Sequence, residues 1–89
     1  MIAATLLALA TSQAATLPQD VRAYIVRREQ CDHFRGEGSP EDARQEEIEA
    51  AAIRLCKGSD AQLARLKRLH ARKPAVRRAL AAFDPKIED

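Results

Sequence analysis

Most of the chemistry open to this chain lies in two places: Cys31-Asp32-His33, with Glu37 four residues further on, and the distant Cys56 and His70. Thiolate, imidazole and carboxylate are zinc-ligand types, but a site needs three or four of them converging. Their spacing here matches no zinc template, and no metal or other cofactor is expected. Cys31 and His33 cannot work as nucleophile and base either, because side chains two apart on a helix diverge. No nucleotide-binding glycine loop, serine-nucleophile elbow or zinc-protease helix is present. A chain of 89 residues has little room to enclose a pocket of the several hundred Å3 that a small substrate occupies. The reading is therefore a protein that is not an enzyme and takes no small-molecule substrate.

The two cysteines have a simpler use, which depends on compartment. Ile2 to Ala10 is an apolar, charge-free run, and Ser12-x-Ala14 behind it supplies small residues where a signal peptidase cuts. A run of nine residues, eight of them apolar, falls far short of the ~20 that span a bilayer as a helix. Residues 1–14 are thus expected to be a cleaved leader, with a periplasmic or secreted product and no transmembrane span. Behind a leader, an even cysteine count reads as a disulfide, Cys31–Cys56. About 75 residues would remain, a size at which one core gives only ~3–5 kcal/mol. Closing a loop of about 25 residues adds roughly 3–4 kcal/mol on the chain-entropy account.

Four helices can be placed to carry these residues. Thr16-Leu17-Pro18 opens the first, with Leu17, Val21, Tyr24, Ile25 and Cys31 on one stripe, and Gly36 and Gly38 end it. Ser39-Pro40-Glu41-Asp42 starts the second, whose stripe is Ile48, Ala51, Ala52, Leu55 and Cys56, closed by Lys57-Gly58. Ser59-x-x-Gln62 reads as a capping box for the third, with Leu63, Leu66 and Leu69 on its apolar side. Pro74 opens a short fourth, with Val76, Leu80 and Phe83 spaced i, i+4, i+7. The expected fold is an all-α bundle of three to four short helices over residues 15–85, with residues 86–89 a frayed tail. The bridge bars a tight hairpin of the first two helices. A turn near Glu37 would set Cys31 opposite a residue near position 43, about twelve residues or ~18 Å of helix from Cys56.

The charges divide unevenly although the net is only +2. Glu29 to Glu49 holds eight acids against Arg35 and Arg44, whereas Asp60 to Leu80 holds one acid against seven bases. The simpler expectation is that the two halves pair with each other inside the fold; the alternative is an anionic partner for the basic half. Arg65, Arg68 and Arg72 share the helix side opposite the leucines and are the surface candidates, extended by Lys73, Arg77 and Arg78. Arg28 sits within the first apolar stripe, one turn before Asp32. It reads as an internal pair with its stem packed, or else as a half-buried recognition residue. No aromatics stand among the bases, which together with the leader argues against nucleic acid.

The segments Arg27-Arg28-Glu29-Gln30-Cys31-Asp32-His33-Phe34-Arg35-Gly36-Glu37 and Leu55-Cys56-Lys57-Gly58-Ser59-Asp60 carry a resemblance. Over roughly residues 22–70 the chain resembles a group of short secreted proteobacterial proteins with a C-D-H-F-x-G-E segment and a later C-x-G-[ST]-D segment. The resemblance implies an exported helical protein with paired cysteines, and implies no activity or site residues.

Two functional expectations follow. The first is an exported binding or accessory protein acting through its surface on a protein or cell-envelope partner, for instance as an inhibitor of a cell-wall hydrolase. The second is a metal- or redox-responsive protein using Cys31, His33 and Cys56. Both presuppose the leader, and mass spectrometry of protein from its own host should find the mature start near Ala15. An intact Met1 in the cytosolic fraction would remove the leader and the compartment argument with it.

Overall fold

Proline donates no hydrogen bond and restricts its predecessor, so it belongs at a helix edge. Pro18 stands there in the computed structural model, which describes residues 17–88: its carbonyl accepts the Arg22 N–H (3.0 Å) and α1 runs Gln19–Arg35. The expected leader lies outside the described residues. Three more helices follow, α2 (Asp42–Cys56), α3 (Ser59–Leu69) and α4 (Pro74–Ala81), with no strand among the described residues. The all-α fold expected from composition and periodicity is the one observed.

The apolar stripes meet in two places. Val21 and Tyr24 of α1, Leu63 and Leu66 of α3, and Val76 and Leu80 of α4 form the buried core, flanked by Leu17, Ile25 and Phe83. Helix α2 contributes nothing to that cluster and takes its main packing from α1. Its buried side chains are Ile48 and Ala51, and Cys31 is fully buried on α1. The bridge is formed: Cys31 and Cys56 are disulfide-bonded with their Cα atoms 5.0 Å apart.

The bridge staggers α1 against α2. From Cys31 to the end of α1 is four residues, ~6 Å of rise, but from Cys56 back to the start of α2 is fourteen, ~21 Å. Gly36 completes the last turn of α1 (φ −89°, ψ −5°), and the five residues 37–41 are enough to make up that difference at ~3.3 Å each. Glu41 accordingly lies in the extended region (φ −88°, ψ 123°). This also corrects the expected start of α2. Ser39 does not cap the helix, because its hydroxyl accepts from Glu41 N (3.2 Å) within the connection, and the first helical residue is Asp42. The Gln45 side chain steadies the connection by accepting from Ser39 N at 2.9 Å.

Only Lys57 and Gly58 separate α2 from α3, and Gly58 takes φ +78°, a left-handed value that a Cβ disfavours. Ser59 is the first residue of α3 rather than its cap, and its hydroxyl is buried against the Tyr24 hydroxyl at 3.0 Å. The cap comes from the far end of the chain. Glu88 accepts from Gly58 N (3.0 Å) and Asp60 N (2.9 Å), while the Asp60 carboxylate accepts from Ile87 N (2.9 Å) and Glu88 N (3.0 Å). Four reciprocal bonds hold a tail that was expected to fray, and a negative charge lies where the helix dipole favours it.

Leu69 departs from its expected place as well, at 64% exposed. Steps of three fall short of a full turn, so the sequence 63, 66, 69 drifts around the helix, and His70 takes the inward position instead. The bridge yields a direct test. Intact mass should be two hydrogens below the reduced value, and Cys56→Ala should cost ~2–5 kcal/mol in urea unfolding. Two freely alkylating thiols in the native protein would contradict this account.

Candidate functional site

Helix α1 is the element against which α2 and α3 pack, and several of its polar side chains fasten that arrangement. Arg28 is only 2% exposed: its Nη1 donates to the Tyr24 hydroxyl (3.0 Å), its Nε donates to Asp32 Oδ1 (2.9 Å), and the guanidinium lies 5.2 Å from the Phe83 ring centroid. Burial opposes its charge, but the bonds to Asp32 and Tyr24 outweigh burial and hold the group above its ordinary value. Arg28 thereby leaves the set of surface candidates and is the internal pair that its position one turn before Asp32 foreshadowed. Arg35 shares the same Asp32 oxygen at 3.0 Å.

Two further contacts escape any local reading. Arg27 reaches across to the C-terminus of α2 and donates to the carbonyls of Leu55 (3.0 Å), Arg54 (2.9 Å) and Lys57 (3.3 Å). It fills the orphan acceptors of a helix end and sets a cation at the negative end of the dipole. His70, just past α3, places Nε2 within 3.0 and 3.2 Å of the two Asp20 carboxylate oxygens in the first turn of α1. The partners are 27 to 50 residues apart, so no sequence window holds both.

The chemistry-bearing residues do not converge. Both cysteine sulfurs are joined to each other, and His33 turns outward to pair with Glu37 at 3.2 Å. Among the described residues, no group of three or more His, Cys, Asp or Glu side chains is arranged to hold a metal ion.

What remains is the surface of α3 and α4. Arg65, Arg68 and Arg72 are exposed, as are Lys73, Arg77 and Arg78, while Lys67 is half-buried. None of these seven makes an ion pair with a described residue. The acids of α2 are engaged within their own helix or by nothing: Glu47 pairs with Arg44 (3.3 Å), and Glu49 accepts from Gln45 (3.2 Å). The expectation that the acidic and basic halves pair internally is therefore corrected. The bridge and Arg27 fasten α2 to α1, and no acid of α2 forms an ion pair with a base of α3 or α4.

Comparison with known proteins finds no matching family model, no matching curated protein and no matching solved structure.

The carboxylates make a pH prediction. Asp20 is held below the ordinary value of 3.8, chiefly by the His70 hydrogen bond. Asp60 is lowered chiefly by the Ile87 N–H. At Asp32 burial is the largest influence and raises the value, but the guanidiniums of Arg28 and Arg35 together prevail and lower it. A group lowered in the folded state stabilises it above its unfolded value and loses that contribution as pH falls through the folded value. The urea midpoint should thus drop as pH falls below about 3.8, and Asp20→Asn or Asp60→Asn should flatten part of that limb. An acid limb that both variants share unchanged with wild type would contradict these assignments.

Proposed function

We propose that this is a small exported accessory protein which binds an anionic surface of a protein or cell-envelope partner through the exposed bases of α3 and α4. The observation that carries the reading is the cluster of bases from Arg65 to Arg78, exposed but for Lys67 and with no ion pair to a described residue. Holding like charges together unpaired costs stability through mutual repulsion, and a partner of opposite sign relieves it. The bridge, the Arg27 cap and the tail clasp give such a surface a rigid backing at little entropic cost on binding. No described helix is long and apolar enough to cross a membrane. The Cys31–Cys56 disulfide supports a product that works outside the cytosol. Inhibition of a cell-wall hydrolase is one form that the activity could take, with the bases engaging acidic groups around the enzyme's cleft.

The test is a comparison of two folded proteins. Arg65→Gln/Arg68→Gln/Arg72→Gln should keep its helicity and change stability by no more than about 0.5 kcal/mol per site, as surface changes do. In capture from the native envelope fraction, wild type should enrich an anionic partner that the triple variant loses. Retention by wild type should weaken from ~0.01 to ~0.15 M salt as the Debye length shortens. Equal capture by both proteins would refute the assignment of the face.

A further inference from the structure

Two exposed stripes of this molecule are complementary to each other and do not meet within it. On α2, Asp42, Glu46, Glu49 and Ile53 recur at i, i+4, i+7, i+11, which puts them on one side of the helix. All four are exposed, and Ile53 is 70% exposed, a large aliphatic side chain standing in water among carboxylates. Arg65, Arg68 and Leu69 recur at i, i+3, i+4 on α3, and Arg72 follows in the turn just beyond it, all four likewise exposed. Each stripe thus holds three like charges and one protruding aliphatic, with opposite signs on the two helices. Small exposed residues flank the stripes, Ala43 and Ala50 on α2 and Ala61 and Ala64 on α3. No ion pair joins the two stripes, since α2 is tied to α1.

We infer that the α3 stripe of one copy docks on the α2 stripe of a second copy, so that the protein associates head to tail. The proposal rests on the reading of the α3–α4 face as a binding surface and names one partner for it. Complementary charges give orientation, and Ile53 and Leu69 bury apolar area that would otherwise stay wet. Because the two stripes are different surfaces, the contact is heterologous: where the rotation between copies closes it makes a ring, and otherwise it leaves one stripe of each kind free at the ends. In either case association depends on concentration. An anionic envelope or protein partner at α3 would end a chain by taking the place of the next copy.

Sedimentation velocity on the chain as its host processes it tests this directly. Wild type should form species larger than a monomer as concentration rises at ~0.01 M salt, and return to monomer at ~1 M. Two neutralised variants make the test specific: Arg65→Gln/Arg68→Gln/Arg72→Gln, and Asp42→Asn/Glu46→Gln/Glu49→Gln. Each keeps one intact stripe, so each alone should sediment as a monomer with wild-type circular dichroism. An equimolar mixture should give a 1:1 complex and nothing larger, because only one matched pair of stripes remains. Wild type that stays monomeric at low salt at every concentration would overturn the proposal, as would neutral variants that associate as wild type does. A monomeric wild type that still binds phosphatidylglycerol vesicles through the three arginines would overturn self-association while leaving the proposed function standing.

Discussion

The Cys31–Cys56 bridge is the constraint from which the arrangement of this molecule follows. Joining those residues at a 5.0 Å Cα separation fixes where α2 ends on α1. The chain then turns through Lys57 and Gly58 alone, so the site of the bridge also decides where α3 begins. That start places the Ser59 hydroxyl on Tyr24 and brings the N-terminus of α3 within reach of Glu88. Arg27 reinforces the bridge by filling the carbonyls at the same end of α2. The outcome for charge is segregation. The acids stay with α2 on one neighbour of α1, and the bases stay with α3 and α4.

A core this small explains why polar contacts matter to it. Its buried side chains are few and mostly aliphatic, with Tyr24 the largest. Arg28 adds volume as well as charge, since its stem is enclosed and its head is satisfied by Asp32 and Tyr24. Burying a guanidinium is tolerable only when such partners are present, and removing one of them leaves the other exposed to the full desolvation penalty.

The sequence made some of this legible and hid the rest for identifiable reasons. Helical periodicity and the glycine and proline breaks located all four helices, because those signals act within a turn or two. The bridge followed from compartment and stripe position, and the bar on a tight hairpin followed from the bridge by arithmetic on helix rise. Capping was misread at Ser39 and Ser59, where hydroxyls suited to caps were used on Glu41 N and on Tyr24. The true cap of α3, Glu88, lies 28 to 30 residues from the groups it satisfies. Arg27 gave no signal either, because an arginine between Val26 and Arg28 looks like any other charge on a helix. The basic side of α3 was visible from spacing alone, but whether it was paired depended on where α2 docked, a tertiary fact.

That pairing question is open to one direct measurement: the melting temperature of dilute wild-type protein at ~0.01 M and ~1 M salt. If the bases of α3 and α4 are held together unpaired, added salt screens their repulsion, and the melting temperature should hold or rise. A melting temperature that falls as salt is added would mean that attraction between the acidic and basic halves stabilises the fold, and would contradict the charge segregation described here.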